Sequence, residues 1–341
     1  MASTRISSNY PPNIDPTRAP EAYGIRKVPK LNQALRDKDL ITRQRALMTL
    51  SDKLHGPEHV SEAIRVGVVP KLLRLLKDAD VVVREKSTEC SYVIAGHAVG
   101  RAALLNSVAT KRIAELFDDP ADVVRHFAYK TMGRIAEQAV GAEQIVQADL
   151  LPSLVGKLQS EQSCAFKEHI LDTLHSCLMV EATSALVCGA LEVLRDFLAH
   201  ESVQIRAKAA LAMMDVCFAL GGKEQACEIG CIAPLVELLA ESSRDVLANA
   251  TGALAAISTT TRGKYATYKA GAIRWLVELT KHRSSEVRVN SLKALTMLAE
   301  IPDARTELLG DIAKLRDCVN DKNSAVGKHA SIAVGVVTWT P

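Results

Sequence analysis

The chain has 341 residues, 42 basic against 39 acidic side chains and a formal charge of +3. That balance excludes the dense basic face of a typical nucleic-acid binder. Aromatics make up only 4 % of a chain that is 48 % hydrophobic, a composition suited to Leu/Ala/Val helix packing and not to a β-sandwich. No apolar run reaches the ~20 residues of a membrane-spanning helix.

The N-terminus reads MASTRISSNYPPN, without the apolar core of a signal peptide. Pro11, Pro12, Pro16, Pro20 and Pro29 crowd the opening. Proline fixes φ and removes a donor, so residues 1–27 are expected to be an extended, non-helical arm. Tyr10, Pro11, Pro12, Ile14 and Asp15 are its candidate partner-binding residues.

From residue 28 the chain repeats. Leu31, Leu72, Ile113, Leu154, Leu194, Leu235, Leu276 and Leu315 recur at steps of 41, 41, 41, 40, 41, 41 and 39. A helical period near 40 marks armadillo or HEAT repeats. The units run 28–67, 68–107, 108–149, 150–189, 190–230, 231–271, 272–311 and 312–341. Gly67, Gly189, Gly230 and Gly271 stand at their boundaries as helix stop signals. Pro29, Pro70, Pro152 and Pro234 then fall in the first turn of the next helix, where an N–H lacks an intrahelical partner anyway.

Within a unit, VVPKLLRLLKDAD puts Leu72, Leu75 and Leu76 on one helical face, and Asp78 and Asp80 mark a turn. A longer helix follows over 81–96, and a short one such as 98–106 or 264–271 closes the unit. The expected fold is therefore an all-α, armadillo/HEAT-like right-handed superhelical solenoid of about eight three-helix repeats over 28–341. The last unit, with glycine where others have arginine, reads as an atypical terminal repeat.

Two further columns follow the leucines. Arg43, Arg84, Arg125, Lys167, Arg206, a lapse at Leu247, and Arg288 lie about twelve residues behind them, with acids such as Asp78, Asp80 and Glu201 just ahead. Acids favour the N-terminus of the long helix, and the guanidinium fork can reach an adjacent repeat. Arg43, Arg84, Arg125, Arg206 and Arg288 are thus read as a structural inter-repeat ladder in preference to a phosphate rail. Five residues beyond the arginines, the face used by nuclear import receptors of this fold for their tryptophan column holds Met48, Glu89, Lys130, Asp172, Leu211, Gly252 and Lys293. The asparagine column holds Asp52, Val93, Arg134, Ser176, Asp215, Ala256 and Met297. With neither tryptophan nor asparagine there, a general peptide clamp is not expected. Met48, Glu89, Lys130, Arg134, Asp172, Asp215 and Lys293 are the candidate contacts to a specific partner.

No catalytic, metal or cofactor site is expected. The eight cysteines form no CxxC pair and read as thiols of a reducing compartment. No HExxH appears. Gly221-Gly222-Lys223 lacks the strand and spacing of a P-loop and is expected to be an interhelical turn.

TRISSNYPPNIDPTRAPEAYG, KLNQAL, TRQRALMTL, HILDTL, GKYA and SLKALTMLAE resemble the radial spoke head 14 homologue family along almost the whole chain. The resemblance implies a non-catalytic armadillo protein of the radial spokes in motile cilia and flagella. Its partners would be other radial spoke proteins of a stable axonemal complex, with no nucleic acid, membrane or small-molecule substrate. The residues alone also allow a soluble adaptor for signalling or transport, or the regulatory subunit of an enzyme.

Overall fold

The computed structural model describes residues 15, 17–20 and 24–340. Tyr10, Pro11, Pro12 and Ile14 of the expected arm lie outside the described residues. All regular structure among the described residues is helical, as in an armadillo-type repeat protein, and no described helix is long and apolar enough to cross a membrane.

The chain divides into two compact units, Met1–Gln144 and Ile145–Pro341. In the first, a 3-10 turn over Gly24–Arg26 leads into α1 (Lys27–Ala34), α2 (Leu40–Lys53) and α3 (Pro57–Arg65). The second repeat is α4 (Val68–Leu75), α5 (Val81–Ala95) and α6 (Ala98–Leu105). The third is α7 (Ala109–Ala114), α8 (Asp122–Ala136) and α9 (Ala139–Gln147), within which the division falls. The other unit opens with α10 (Leu151–Ser160), α11 (Cys164–Leu178) and the single turn α12 (Ser184–Val187). Two full repeats follow: α13 (Ala190–Phe197), α14 (Val203–Val216), α15 (Leu220–Glu228), then α16 (Ile232–Glu237), α17 (Arg244–Ile257), α18 (Thr261–Lys269). The seventh is α19 (Ala272–Leu279), α20 (Ser285–Leu298) and α21 (Pro302–Gly310). The eighth has two helices, α22 (Ile312–Asp317) and α23 (Ser324–Val337).

Each short–long–short triplet follows from its punctuation. Gly67, Gly189, Gly230 and Gly271 have φ between 70° and 77°, the left-handed stop conformation, and Asp149 takes the same place at φ 56°. The turn before the long helix is fixed by one recurring side chain. Asp37, Asp78, Asp119 and Asp321 each accept the N–H two residues on, at 2.8–3.0 Å. His200 and His282 do the same through Nδ1, at 3.0 and 3.1 Å. Asp39 and Asp80 then cap their long helices by accepting from Thr42 and Val83.

All eight residues of the leucine column are buried, each contributing roughly 2 kcal/mol of apolar burial. The long helices pack side by side, α2–α5–α8 in the first unit and α11–α14–α17–α20–α23 in the second. Two expectations change. Gly221-Gly222-Lys223 lies in the first turn of α15 and is not an interhelical turn. The helix expected over 264–271 begins at Thr261, because Thr260 caps it by accepting from the Gly263 N–H.

A close backbone approach underlies that second change. Gly100, Gly141, Gly222 and Gly263 occupy the third position of their closing helices. A Cβ at any of them would lie 1.9–2.1 Å from the carbonyl oxygen of Ile94, Ile135, Val216 or Ile257 in the preceding long helix. Only a residue without Cβ lets the closing helix fold back so tightly.

Candidate partner-binding surface

The arginine column binds in two directions. In its own repeat, each Nη1 donates to the carbonyls of the turn: Asp37 and Lys38 for Arg43, Asp78 and Ala79 for Arg84, Asp119 for Arg125, His200 and Glu201 for Arg206, His282 and Arg283 for Arg288. The rest of the guanidinium reaches the turn of the next repeat. Arg43 meets Asp78 at 3.3 Å, Arg84 meets Asp119 at 2.6 Å, Arg206 meets Glu241 at 2.6 Å and Arg288 meets Asp321 at 2.8 Å. Arg125 also pairs with Asp122 in its own helix at 2.9 Å. These arginines are therefore occupied within the chain, and four of them join successive repeats.

The turn residue changes in step with the column. Opposite Lys167 stand Phe197 and His200, stacked on each other, with the ammonium 5.3 Å from the Phe197 ring centroid. Leu247, the lapse, is buried against Ala248 and Val287, and the turn ahead of it holds His282. The step from Leu247 is apolar, not ionic.

On the long-helix face of the first unit, Arg18 donates to the Met48 carbonyl at 2.6 Å and pairs with Asp52 at 2.9 Å, and the Ala19 N–H donates to Thr49 Oγ1. The described part of the arm thus lies on α2, beside Glu89 and its 2.7 Å partner Lys86. Asp15 is exposed and caps Thr17 and Arg18. Lys130 sits 4.4 Å over the Tyr92 ring, with Arg134 at 5.8 Å.

In the second unit, exposed Asp172 pairs with Lys208 at 2.7 Å. Asp215 is 1 % exposed and accepts a 2.6 Å hydrogen bond from His175 Nδ1, while its Oδ1 has no hydrogen-bond partner among the described residues. Burial raises the Asp215 pKa, opposed by His175. The hydrogen bond to Asp215 raises that of His175, opposed by burial. A raised histidine pKa adds stability below about pH 6.5 that is lost as pH rises through the folded value. Asp215→Asn should therefore cost more at pH 6, where it deprives an imidazolium of its counter-ion, than at pH 8, where neutral Nδ1–H can still donate to the amide oxygen. Chemical denaturation at the two pH values checks this, and an equal cost at both would refute the coupling.

Lys293 is exposed and makes no ion pair among the described residues. With Gly252, Ala256 and Met297 it lines a cleft of roughly 450 Å3 on the α14–α17–α20–α23 face. Sequence columns found those four residues but missed Met214, Phe218 and Ile332, which also line the cleft and read as ordinary helix-core letters. Asn249 and Asn290, off the expected asparagine column, donate to the Ala207 and Ala248 carbonyls of the preceding long helix at 2.8 and 3.0 Å. Among the described residues no three His, Cys, Asp or Glu side chains gather as a metal site. No cysteine is in a disulfide, and burial pushes the Cys177 and Cys231 thiols up to about 12.

No protein-family model matches the chain. Among solved structures it is similar to an engineered protein, with a TM-score of 0.86 and 21 % identity over 92 % of this chain and 79 % of that one. It also matches a designed armadillo repeat protein, YIII(Dq)4CqI, at a TM-score of 0.45 and 23 % identity over 80 % of this chain and 99 % of that one. The repeat geometry and the first likeness define the class, an armadillo-like helical-repeat fold.

Proposed function

We propose that the chain is a non-catalytic structural scaffold of the radial spoke in motile cilia and flagella, held by other spoke proteins. One observation carries the choice of a fixed, specific partner over a general peptide receptor. Polar side chains on the long-helix face are largely committed inside the chain: Asp172 to Lys208, His175 to Asp215, and the Asn249 and Asn290 amides to helix carbonyls. A general clamp needs such amides free to bind the backbone of any extended peptide; a permanent neighbour needs only complementary shape and charge. The proline-rich opening, with its resemblance to the radial spoke head 14 homologue family, supports the ciliary setting.

Fractionation of a motile ciliated cell tests the reading. The protein should stay with detergent-extracted axonemes and leave only in high salt or chaotrope. Release with the detergent-soluble pool would favour a soluble adaptor, and co-purification with a kinase or phosphatase activity would favour a regulatory subunit.

A further inference from the structure

In the cleft on the second unit several large apolar side chains stand open together on the long-helix face. Phe218, two residues past the end of α14, is 63 % exposed and joins Met214, Met297 and Ile332 in one apolar patch, the kind of surface that marks an interaction site. The floor belongs to α17, where Gly252, Ala255 and Ala256 offer nothing larger than a methyl group. Met214 and Phe218 wall one side, and Met297 and Ile332 the other. Methionine walls adapt to the shape of an apolar guest.

The charge around this trough has one sign. Lys293 lines it and Lys328 adjoins it, while no Asp or Glu lines it; His329, also in the lining, is held towards its neutral form by burial and by those two lysines. Neither lysine makes an ion pair among the described residues. The cleft crosses four successive long helices, which at about 9 Å between axes span roughly 27 Å. An extended chain covers that distance in about eight residues.

We propose that this cleft is the docking site for an extended segment of a partner protein carrying large apolar side chains flanked by Asp or Glu. The inference rests on the scaffold reading above and names the chemistry of one partner. The apolar side chains fill the trough over Gly252 and Ala256, and the carboxylates meet Lys293 and Lys328.

Selection of a random 12-residue phage-displayed library on the full chain tests it, followed by fluorescence anisotropy of the enriched peptides. The expected winners carry at least two large apolar residues and a net negative charge. Their affinity should fall at least tenfold in Ala256→Arg, which fills the trough from a half-exposed position, and at least threefold in Lys293→Glu, on the exposed rim. Replacing the peptide's acids by lysine should restore binding to Lys293→Glu. Unchanged circular dichroism in both variants separates these losses from misfolding, and the exposed Lys293 change serves alone if Ala256→Arg does not fold. Winners that are basic, or that bind Ala256→Arg and Lys293→Glu as tightly as the parent, overturn the assignment of this cleft and leave the scaffold reading standing. A selection that enriches nothing overturns the assignment as well. Loss of the scaffold reading would show separately, as release of the protein from axonemes by detergent.

Discussion

Alanine at Gly263 lowers the stability of the chain by about 3 kcal/mol, whereas alanine at Gly156 raises it by about 0.5–1 kcal/mol. Both glycines are helical, so intrinsic propensity favours alanine equally at the two sites. The difference lies in what the new methyl meets. At Gly263 a Cβ would stand 2.0 Å from the Ile257 carbonyl oxygen and 2.7 Å from its carbon, both backbone atoms that cannot rotate aside. α18 must lift from α17, opening the packing around buried Ala253 and Leu254. At Gly156, in the middle of α10, no heavy atom lies within 4 Å, so the methyl only restricts the unfolded chain. Thermal unfolding followed by circular dichroism should show a fall of roughly 6–10 °C for Gly263→Ala and a small rise for Gly156→Ala. Equal shifts for the two would remove the close-approach argument. Gly100, Gly141 and Gly222 should behave as Gly263 does; Ala304 holds that position in the seventh repeat, so the device belongs to four repeats.

The contrast shows what the sequence displays and what it conceals. The leucine period and the boundary glycines were legible because each is a local rule: a buried face recurs, or a helix stops. The close-approach glycines obey no local rule, since a glycine inside a helix reads only as a weak helix former. Their signal was recurrence, at 100, 141, 222 and 263 with spacings near multiples of 41. The ladder was half visible. Acids just ahead of each arginine stood out, yet the cross-repeat acceptor is the turn residue of the following repeat, 33–35 positions later. That His200 and His282 belong to the same turn column became clear only when their Nδ1 atoms were seen to cap backbone N–H groups as aspartate does. The cleft was hidden for another reason: Met214, Phe218 and Ile332 have the letters of core residues, and only the small side chains of α17 leave them uncovered.

Removing the Arg84 side chain costs about 3–4 kcal/mol and does so through two repeats at once. Nε and Nη2 bind Asp119 at 2.6 and 3.2 Å, and Nη1 binds the Asp78 and Ala79 carbonyls, each at 3.0 Å. The Asp119 side chain is only 5 % exposed, so in Arg84→Ala a carboxylate stays buried with the Ala121 N–H and the more distant Arg125 charge, while two turn carbonyls lose their donor. Arg84→Lys keeps the charge but not the fork, and a single ammonium cannot span both turns, so it should recover less than half of the loss. Acid supplies an independent check. Burial opposes ionisation of Asp119 most strongly, but the hydrogen bonds from Arg84 and the Ala121 N–H, with the Arg84 and Arg125 charges, together outweigh it and hold the carboxyl below its ordinary value. A depressed carboxyl pKa contributes stability above about pH 3.9 that disappears as pH falls through the folded value. The gap between the parent and Arg84→Ala should therefore be full at pH 7 and narrow below pH 4, measured by urea unfolding across that range. A gap that stays constant into acid would mean that Arg84 acts only through its own turn. In that case the joint between the second and third repeats would rest on its remaining contacts, among them the 2.6 Å Lys77–Glu115 pair.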